Sequence, residues 1–247
     1  GLPMARLLQG DVGSGKTVVV LAAMLMAAAQ GYQTAIMAPT EILAEQHFLT
    51  LGRLLRGLGQ PAKETYLLTF SLEPYPRPLS VGLLLGSMRK REKEEVRERL
   101  EGHALDMVVG THALTQEGVS FSRLGLAVVD EEHRFGVMQR QLLAEKGKRP
   151  HLLSLSATPI PRSLALTLYG DLDISVLDQL PPGRQPIRTR WVPSEQRDVA
   201  YTFVKKEVAS GRQAFIICPL IDESEAIQAR AAVTEHERLS REVFPDL

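Results

Sequence analysis

Asparagine is absent from the 247 residues of this chain, and cysteine occurs only once. Without asparagine the chain has no N-x-Ser/Thr glycosylation site, and it cannot carry the N-K-x-D motif with which Ras-type GTPases read guanine. Because Cys218 has no second cysteine to pair with, no disulfide can form within the chain, which favours a reducing compartment. These absences exclude N-glycosylation, an intrachain disulfide and guanine recognition of the Ras type.

The chain also lacks an excess of charge of either sign and a long apolar segment. Lys plus Arg and Asp plus Glu number 29 each, so the net charge gives no support to nucleic-acid binding, and any such site must be a local patch. The apolar run from Val18 to Ala29 is too short to span a bilayer, and we expect no membrane association. Residues 1–6 carry no signal-peptide pattern, and because residue 1 is not methionine we expect a segment of a longer protein.

A glycine-rich octapeptide near the amino terminus is the strongest motif in the chain. Residues 10–17 read G-D-V-G-S-G-K-T, which matches G-x-x-x-x-G-K-[ST] and lies between two apolar runs. Its glycines let the backbone approach an anion, so that successive N–H groups and a helix N-terminus face the phosphates of a nucleotide. Lys16 would reach the β- and γ-phosphates, and the Thr17 hydroxyl would ligate Mg²⁺. The predicted nucleotide-binding residues are Gly10, Asp11, Val12, Gly13, Ser14, Gly15, Lys16 and Thr17.

Short apolar runs alternate with helical stretches along most of the chain, which predicts an α/β fold with a parallel, doubly wound sheet flanked by helices. The runs are continuously apolar rather than alternating, as expected for strands that are covered on both faces. The predicted strands are Ala5–Gln9, Thr34–Ala38, Val81–Leu85, Leu105–Val109, Leu124–Val129, His151–Ser154 and, much later, Gln213–Cys218. The predicted helices are Thr17–Gln30, Thr40–Leu55, Met88–Leu100 and Glu195–Ser210.

Two proline-rich passages interrupt this alternation. The first, residues 61–78, contains Pro74, Pro76 and Pro78 and is interpreted as a loop or insertion without an assigned function. The second, residues 180–186, reads L-P-P-G-R-Q-P, which neither a helix nor a central strand tolerates. We therefore predict a first domain over residues 1–178, a linker over 179–193 and an incomplete second domain over 194–247.

An acidic cluster, D-E-E-H at residues 130–133, follows the apolar run Leu124–Val129. The carboxyl end of that strand should lie on the sheet edge that carries the phosphate loop. There Asp130 could hold Mg²⁺ while Glu131 orients and deprotonates the attacking water, the two tasks that phosphoryl transfer requires. The next predicted strand is followed by a short segment of three residues that could hydrogen-bond Asp130 or His133 and sense the γ-phosphate. They are Ser156, Ala157 and Thr158.

Hydroxyls, backbone N–H groups and helix N-termini follow the second, third and fourth predicted strands. Such groups can contact a sugar-phosphate backbone without reading bases. The predicted nucleic-acid contacts are Pro39, Thr40, Gly86, Ser87, Gly110, Thr111 and His112.

Taken in order, these motifs resemble motifs I, Ia, Ic, II and III of superfamily 2 helicases and translocases. They are the phosphate loop, A-P-T-E at 38–41, G-T-H at 110–112, D-E-E-H at 130–133 and S-A-T at 156–158. Longer stretches are similar to the RecG family of DNA branch-migration helicases, and together they extend over nearly the whole chain. These stretches are residues 37–47, 133–137, 157–162, 180–184 and 211–225.

The resemblance implies a RecA-like motor domain followed by the start of a second one. It implies an ATP-dependent DNA helicase that drives branch migration and reverses stalled replication forks in recombination and repair. ATP and Mg²⁺ would be its cofactors, and branched DNA junctions and stalled forks would be its partners. The resemblance further implies a monomer in the bacterial cytoplasm, associated with the nucleoid. Lys16, Glu131 and His133 would be catalytic, Thr17 and Asp130 would bind the metal, and residues 156–158 would relay the nucleotide state to the DNA contacts.

One residue departs from this pattern, because RecG proteins usually carry glutamine where this chain has Glu132. D-E-E-H is commoner in the transcription-repair coupling translocase Mfd, so an Mfd-like double-stranded DNA translocase is an alternative. A nucleotide-gated DNA-binding module without turnover is another, and a nucleotide kinase is a third, although no arginine-rich lid is evident. Motifs V and VI, with the arginine finger, are not among these residues, so we expect the segment alone to bind Mg-ATP and hydrolyse it slowly.

Overall fold

The computed structural model describes residues 3–56, 61–63, 66–71, 77–130, 142–158, 172–179, 187–217 and 233–245. Contacts divide the chain into two units, Gly1–Arg184 and Gln185–Leu247, referred to below as unit 1 and unit 2. The proline-rich passage at residues 180–186, within the linker predicted over residues 179–193, lies outside the described residues. The domain boundaries drawn from the sequence at residues 178 and 193 stay predictions.

A nine-stranded sheet forms the centre of unit 1, in the order β3-β4-β5-β6-β2-β7-β8-β1-β9. From β5 to β9 in this order every neighbouring pair is parallel, whereas β3–β4 and β4–β5 are antiparallel. The predicted α/β class with a parallel sheet is confirmed. The strands are β1 (Ala5–Gly10), β2 (Gln33–Met37), β3 (Pro61–Lys63), β4 (Leu67–Phe70), β5 (Leu79–Leu84), β6 (Met107–Gly110), β7 (Leu124–Val129), β8 (His151–Ser156) and β9 (Asp173–Leu177).

Helices cover both faces of this sheet. They are α1 (Lys16–Ala29), α2 (Glu41–Arg56), α3 (Lys90–Glu101) and a 3₁₀ turn at His112–Thr115. The buried faces of α1 and α2 join one hydrophobic cluster, and those of α3 and the 3₁₀ turn join another. In β2, Ile36 belongs to the first cluster and Ala35 and Met37 to the second, which explains why the strand reads as a continuous apolar run. Within the described ranges, no helix combines the length and the apolar character needed to cross a bilayer.

The passage at residues 61–78, interpreted from the sequence as a loop or insertion, is described at residues 61–63, 66–71 and 77–78, and residues 64–65 and 72–76 lie outside the described residues. It contains β3 and β4, which extend the sheet beyond β5 as an antiparallel edge, so the interpretation as a loop was wrong for these residues. Pro61 is the first residue of the outermost strand, a position where the missing backbone N–H removes no ladder bond from the sheet interior. Strand β9 was not predicted either. It pairs with β1 at the other edge, and its residues are partly exposed.

Unit 2 is described at residues 187–217 and 233–245. Its main helix, α4 (Arg197–Ala209), follows a 3₁₀ turn at Ser194–Gln196 and confirms the helix predicted there. Residues 212–217 are assigned to no strand, so the predicted strand Gln213–Cys218 was wrong over 213–217, and Cys218 lies outside the described residues. A strand is defined by hydrogen bonds to a neighbouring strand, and the described part of unit 2 supplies no such neighbour.

Candidate functional site

The carboxyl ends of six parallel strands meet at one edge of the sheet, and all the described candidate residues lie along it. The ends of β1, β8 and β7 lie side by side and carry the phosphate loop, residues 156–158 and Asp130. We refer to them as the phosphate-loop half. The ends of β2, β6 and β5 continue the same edge and carry the predicted nucleic-acid contacts at residues 39–40, 110–112 and 86–87. We refer to them as the hydroxyl half. The strand order thus separates the two predicted binding functions in space.

The glycine-rich loop has the backbone that phosphate binding requires. Gly13 and Gly15 have φ values of +82° and +95°, in the left-handed region that residues with a Cβ rarely adopt. Helix α1 begins directly after Gly15, which has no side chain to cap it. The first N–H groups of α1 therefore point out of the helix without a side-chain acceptor from the N-cap residue, the arrangement that binds anions at helix N-termini.

Side chains inside the loop also fit a phosphate group. The Lys16 Nζ donates to the carbonyl oxygens of Gly10 (2.7 Å) and Asp11 (2.9 Å), which holds the ammonium against the loop. The Ser14 Oγ is buried, and it has no hydrogen-bond partner among the described residues. At Gly10 a Cβ would stand 2.6 Å from this Oγ and 2.9 Å from the Leu177 Cβ, so only glycine fits between the loop and β9. A cation, the Ser14 hydroxyl and a tightly packed glycine together form a cradle suited to a triphosphate.

Asp130 follows β7 on the same edge as the loop. One strand, β8, separates β7 from β1, so their ends are about 10 Å apart at the usual strand spacing of about 4.8 Å. The register pairs Gln9 with Ser156 and Val129 with Ser154, which brings the loop and Asp130 to nearly the same level. The other predicted residues of the acidic cluster, Glu131, Glu132 and His133, lie outside the described residues.

Residues 156–158 lie between the loop and Asp130, at the end of β8. Their hydroxyls contact each other: the Ser156 and Thr158 oxygens are 3.1 Å apart, and the Ser156 Oγ accepts the Thr158 N–H at 3.3 Å. This local turn puts both hydroxyls on the edge where a relay was predicted. The relay to Asp130 or His133 stays a prediction.

In the hydroxyl half, side-chain oxygens cap helices or contact one another. The Thr40 Oγ1 accepts the Leu43 N–H at 3.3 Å at the start of α2, and the Thr111 Oγ1 accepts the Ala113 N–H at 3.5 Å. Ser87 donates its backbone N–H (2.9 Å) and its hydroxyl (2.6 Å) to the Glu41 carboxylate. These bonds from Ser87 hold the pKa of Glu41 below its ordinary value. The β2 and β5 loops are thereby joined in one network.

Two contact residues of this edge received no role from the sequence. One is Glu41, which contacts Ser87. The other is His47 on α2, whose Nε2 lies 2.6 Å from the Asp130 Oδ2. A sequence signal for His47 existed: it falls at helical spacing among the buried residues Ala44, Phe48 and Leu51, and a polar residue in an apolar stripe requires a partner. The identity of that partner, 83 residues away, has no local signature.

A comparison with protein-family models finds that residues 4–167 match the DEAD/DEAH box helicase model. The chain belongs to the DEAD/DEAH box helicase family. The matched range runs from the start of β1 past residues 156–158, so it contains both halves of the edge described above. The predicted RecA-like helicase fold of the first domain is confirmed by this membership.

Individual relatives of this helicase-family chain support the narrower resemblance. It is 50% identical over 244 residues to the ATP-dependent DNA helicase RecG of Synechocystis sp., covering 99% of the chain and 27% of that protein. It is 47% identical over 245 residues to the RecG of Thermotoga maritima, covering 99% of the chain and 29% of that protein. A solved structure of RecG bound to a three-way DNA junction superposes with a TM-score of 0.71 at 44% identity, covering 98% of this chain and 29% of that one. The predicted resemblance to RecG is confirmed, and the chain spans less than a third of the length of these relatives.

Proposed function

We propose that this chain is the ATP-binding motor segment of a RecG-type DNA helicase, which couples ATP hydrolysis to branch migration and fork reversal in DNA recombination and repair. The observation that carries the proposal is the single sheet edge on which a phosphate loop and Asp130 lie one strand apart, beside a row of hydroxyls. The identity of 44% to a RecG solved on a three-way junction supports branched DNA as the substrate class.

Residues of the phosphate-loop half would bind the nucleotide. Residues 10–17 would hold the triphosphate through backbone N–H groups, and Lys16 would exchange its loop carbonyls for phosphate oxygens. Bound Mg-ATP would supply the phosphoryl bond whose hydrolysis drives movement, and Thr17 and Asp130 would hold the metal ion. Glu131, next to Asp130 in the sequence, would orient the attacking water and accept its proton.

Residues of the hydroxyl half would contact DNA. Thr40, Ser87 and His112 are exposed and follow three adjacent strands, so they form a row along one edge, whereas the Thr111 side chain is buried beside them. Groups of this kind bind phosphate and sugar oxygens and carry no sequence information, which suits a motor that must move along any sequence. Residues 156–158, at the end of β8 in the phosphate-loop half, would report the state of the nucleotide to this row.

The proposal is tested in the full-length protein that contains this chain. Wild type, Glu131→Gln and the control Glu101→Gln, at the end of α3 on the opposite sheet edge, are compared for ATP binding and for ATP hydrolysis with and without a three-way DNA junction. We expect junction-stimulated hydrolysis in wild type and control, and a loss of about 100-fold or more in Glu131→Gln with ATP binding retained. Undiminished turnover in Glu131→Gln would mean that another residue is the base.

Two alternatives predict distinct outcomes, the first in these same assays and the second in assays of junction unwinding and polymerase displacement. Wild-type protein that binds ATP and junction DNA but never hydrolyses ATP would be a nucleotide-gated binding module. Because Glu132 matches the D-E-E-H of Mfd, an Mfd-like translocase is the second candidate. Such a protein would displace a stalled RNA polymerase from duplex DNA and fail to unwind Holliday junctions, whereas a RecG-type protein would unwind them.

A further inference from the structure

Helix α2 carries one polar side chain on its buried face. Ala44, Phe48 and Leu51 face the hydrophobic cluster, and His47, at the same helical spacing, has a side chain that is only 14% exposed. The imidazole nitrogens lose most of their hydration in this position, and a hydrogen bond within the protein must replace that lost hydration. Its location therefore depends on a specific partner rather than on packing alone.

That partner is the carboxylate proposed to hold the metal. The His47 Nε2 and the Asp130 Oδ2 are 2.6 Å apart, and the Asp130 side chain is also 14% exposed. An ionised carboxylate only accepts hydrogen bonds, so the ring nitrogen is the donor in this pair. The Asp130 backbone N–H also donates to the Met37 carbonyl of β2 at 2.9 Å, which fixes the residue to the strand that precedes α2.

The N-terminus of α2 belongs to the hydroxyl half. Thr40 caps the helix, and Glu41 in its first turn accepts both hydrogen bonds from Ser87. The helix thus touches the hydroxyl half at its N-terminus and Asp130 two turns later, across the boundary between β2 and β7. One rigid element therefore joins a predicted DNA contact to a predicted metal ligand.

We propose that His47 is a positioning residue that holds the Asp130 carboxylate in its metal-binding orientation and makes this orientation depend on the placement of α2. The inference rests on the proposed function, because it assigns His47 to the same nucleotide site. Hydrogen-bond partners of metal ligands orient them, and their loss typically lowers metal affinity or activity about 10- to 100-fold. DNA that shifts the N-terminus of α2 would through His47 alter the geometry of the metal site.

The test uses the full-length protein with two substitutions at the same position and one on the same helix. His47→Leu introduces an apolar side chain of similar size and removes the donor, whereas His47→Gln supplies an amide donor at nearly the same reach. Glu45→Gln, exposed on α2, is the matched control. The measurements are the Mg²⁺ concentration for half-maximal binding of a fluorescent ATP analogue, the affinity for the analogue without Mg²⁺, kcat and KM for ATP with and without a three-way junction, and the thermal midpoint.

In His47→Leu we expect the Mg²⁺ requirement for binding to rise about tenfold and the junction-stimulated kcat to fall about tenfold, with Mg²⁺-free analogue binding unchanged. His47→Gln should recover most of both losses, and Glu45→Gln should match wild type. A merely structural role would lower the thermal midpoint in His47→Leu and leave the Mg²⁺ requirement unchanged, which overturns the inference. Equal defects in His47→Leu and His47→Gln would also overturn it. Wild-type protein without ATP hydrolysis would instead overturn the proposed function, and the inference with it.

Discussion

Replacing Asp106 by alanine should destabilise unit 1 much more than removing an exposed ion pair. Asp106 lies just before β6, at the sheet edge opposite the candidate site, and its side chain is 4% exposed. Its carboxylate accepts the Ser80 N–H at 2.8 Å, the Ser80 hydroxyl at 2.9 Å and two guanidinium N–H groups of Arg77. The residue therefore ties the start of β6 to the start of β5 and to the segment before it.

The size of the effect follows from what alanine leaves behind. Breaking a buried, hydrogen-bonded charge pair costs about 3–5 kcal/mol, most of it from the partner left uncompensated. Here the Arg77 side chain is 45% exposed and can be hydrated again, so the main penalty comes from leaving the buried Ser80 N–H without an acceptor. We therefore expect a loss at the lower end of this range, about 3 kcal/mol. The control is Asp173→Ala, which removes the Arg6–Asp173 pair, whose side chains are 36% and 72% exposed. Exposed pairs of this kind contribute about 0.5 kcal/mol.

Urea unfolding followed by far-ultraviolet circular dichroism measures both variants. With a slope of about 2 kcal/mol per molar urea, Asp106→Ala should lower the midpoint by about 1.5 M and Asp173→Ala by about 0.25 M. Nucleotide binding below the transition should be unchanged in both, because both residues lie at the edge of the sheet away from the phosphate loop. Equal midpoint shifts in the two variants would refute the reasoning that burial determines how much each ion pair contributes to the free energy of unfolding.

Three further predictions concern other described contacts. Gly10→Ala should weaken binding of an ATP analogue about tenfold in a fluorescence titration, because relieving the overlap with Ser14 and Leu177 costs about 1–3 kcal/mol; unchanged affinity would show that the loop does not need glycine there. Gln33→Met should lower the free energy of unfolding by about 3 kcal/mol, since the fully buried amide donates to two carbonyls and accepts one N–H; a loss under about 1 kcal/mol would contradict this. Hydrogen bonds from Ser87 lower the pKa of Glu41 from 4.5, so this contact should persist above pH 4.5 and be lost as the pH falls through the lowered pKa. Ser87→Ala should then raise the pKa toward 4.5 in a carboxyl NMR titration.

The sequence predicts the central strands because two buried faces leave a clear pattern. The run Leu124–Val129 contains only apolar residues and one glycine, and the structure begins and ends β7 at the predicted residues. The strands at the two edges of the sheet were not predicted, because their sequences lack this pattern. Strand β9 reads D-I-S-V-L and is covered incompletely, and β3 begins at a proline, so neither has the apolar run of a central strand.

Local backbone geometry at the candidate site could be predicted where a motif determines it. The phosphate loop encodes its turn in Gly13 and Gly15, and Asp130 is located by the strand before it. Contacts between distant segments could not be predicted in this way. Neither the pairing of His47 with Asp130 nor that of Glu41 with Ser87 follows from a spacing in the chain, because both depend on how β2, β5 and β7 are ordered in the sheet.

Strand β9 has a practical consequence for anyone who shortens unit 1. The family match stops at residue 167, six positions before this strand begins, yet β9 pairs with β1 along five residues and Leu177 lies against Gly10. A protein cut at the family boundary would turn β1 into an open edge, which other chains can pair with and aggregate upon. It would also remove the wall behind the phosphate loop. Truncations intended for crystallisation or ligand screening should therefore extend beyond Leu177.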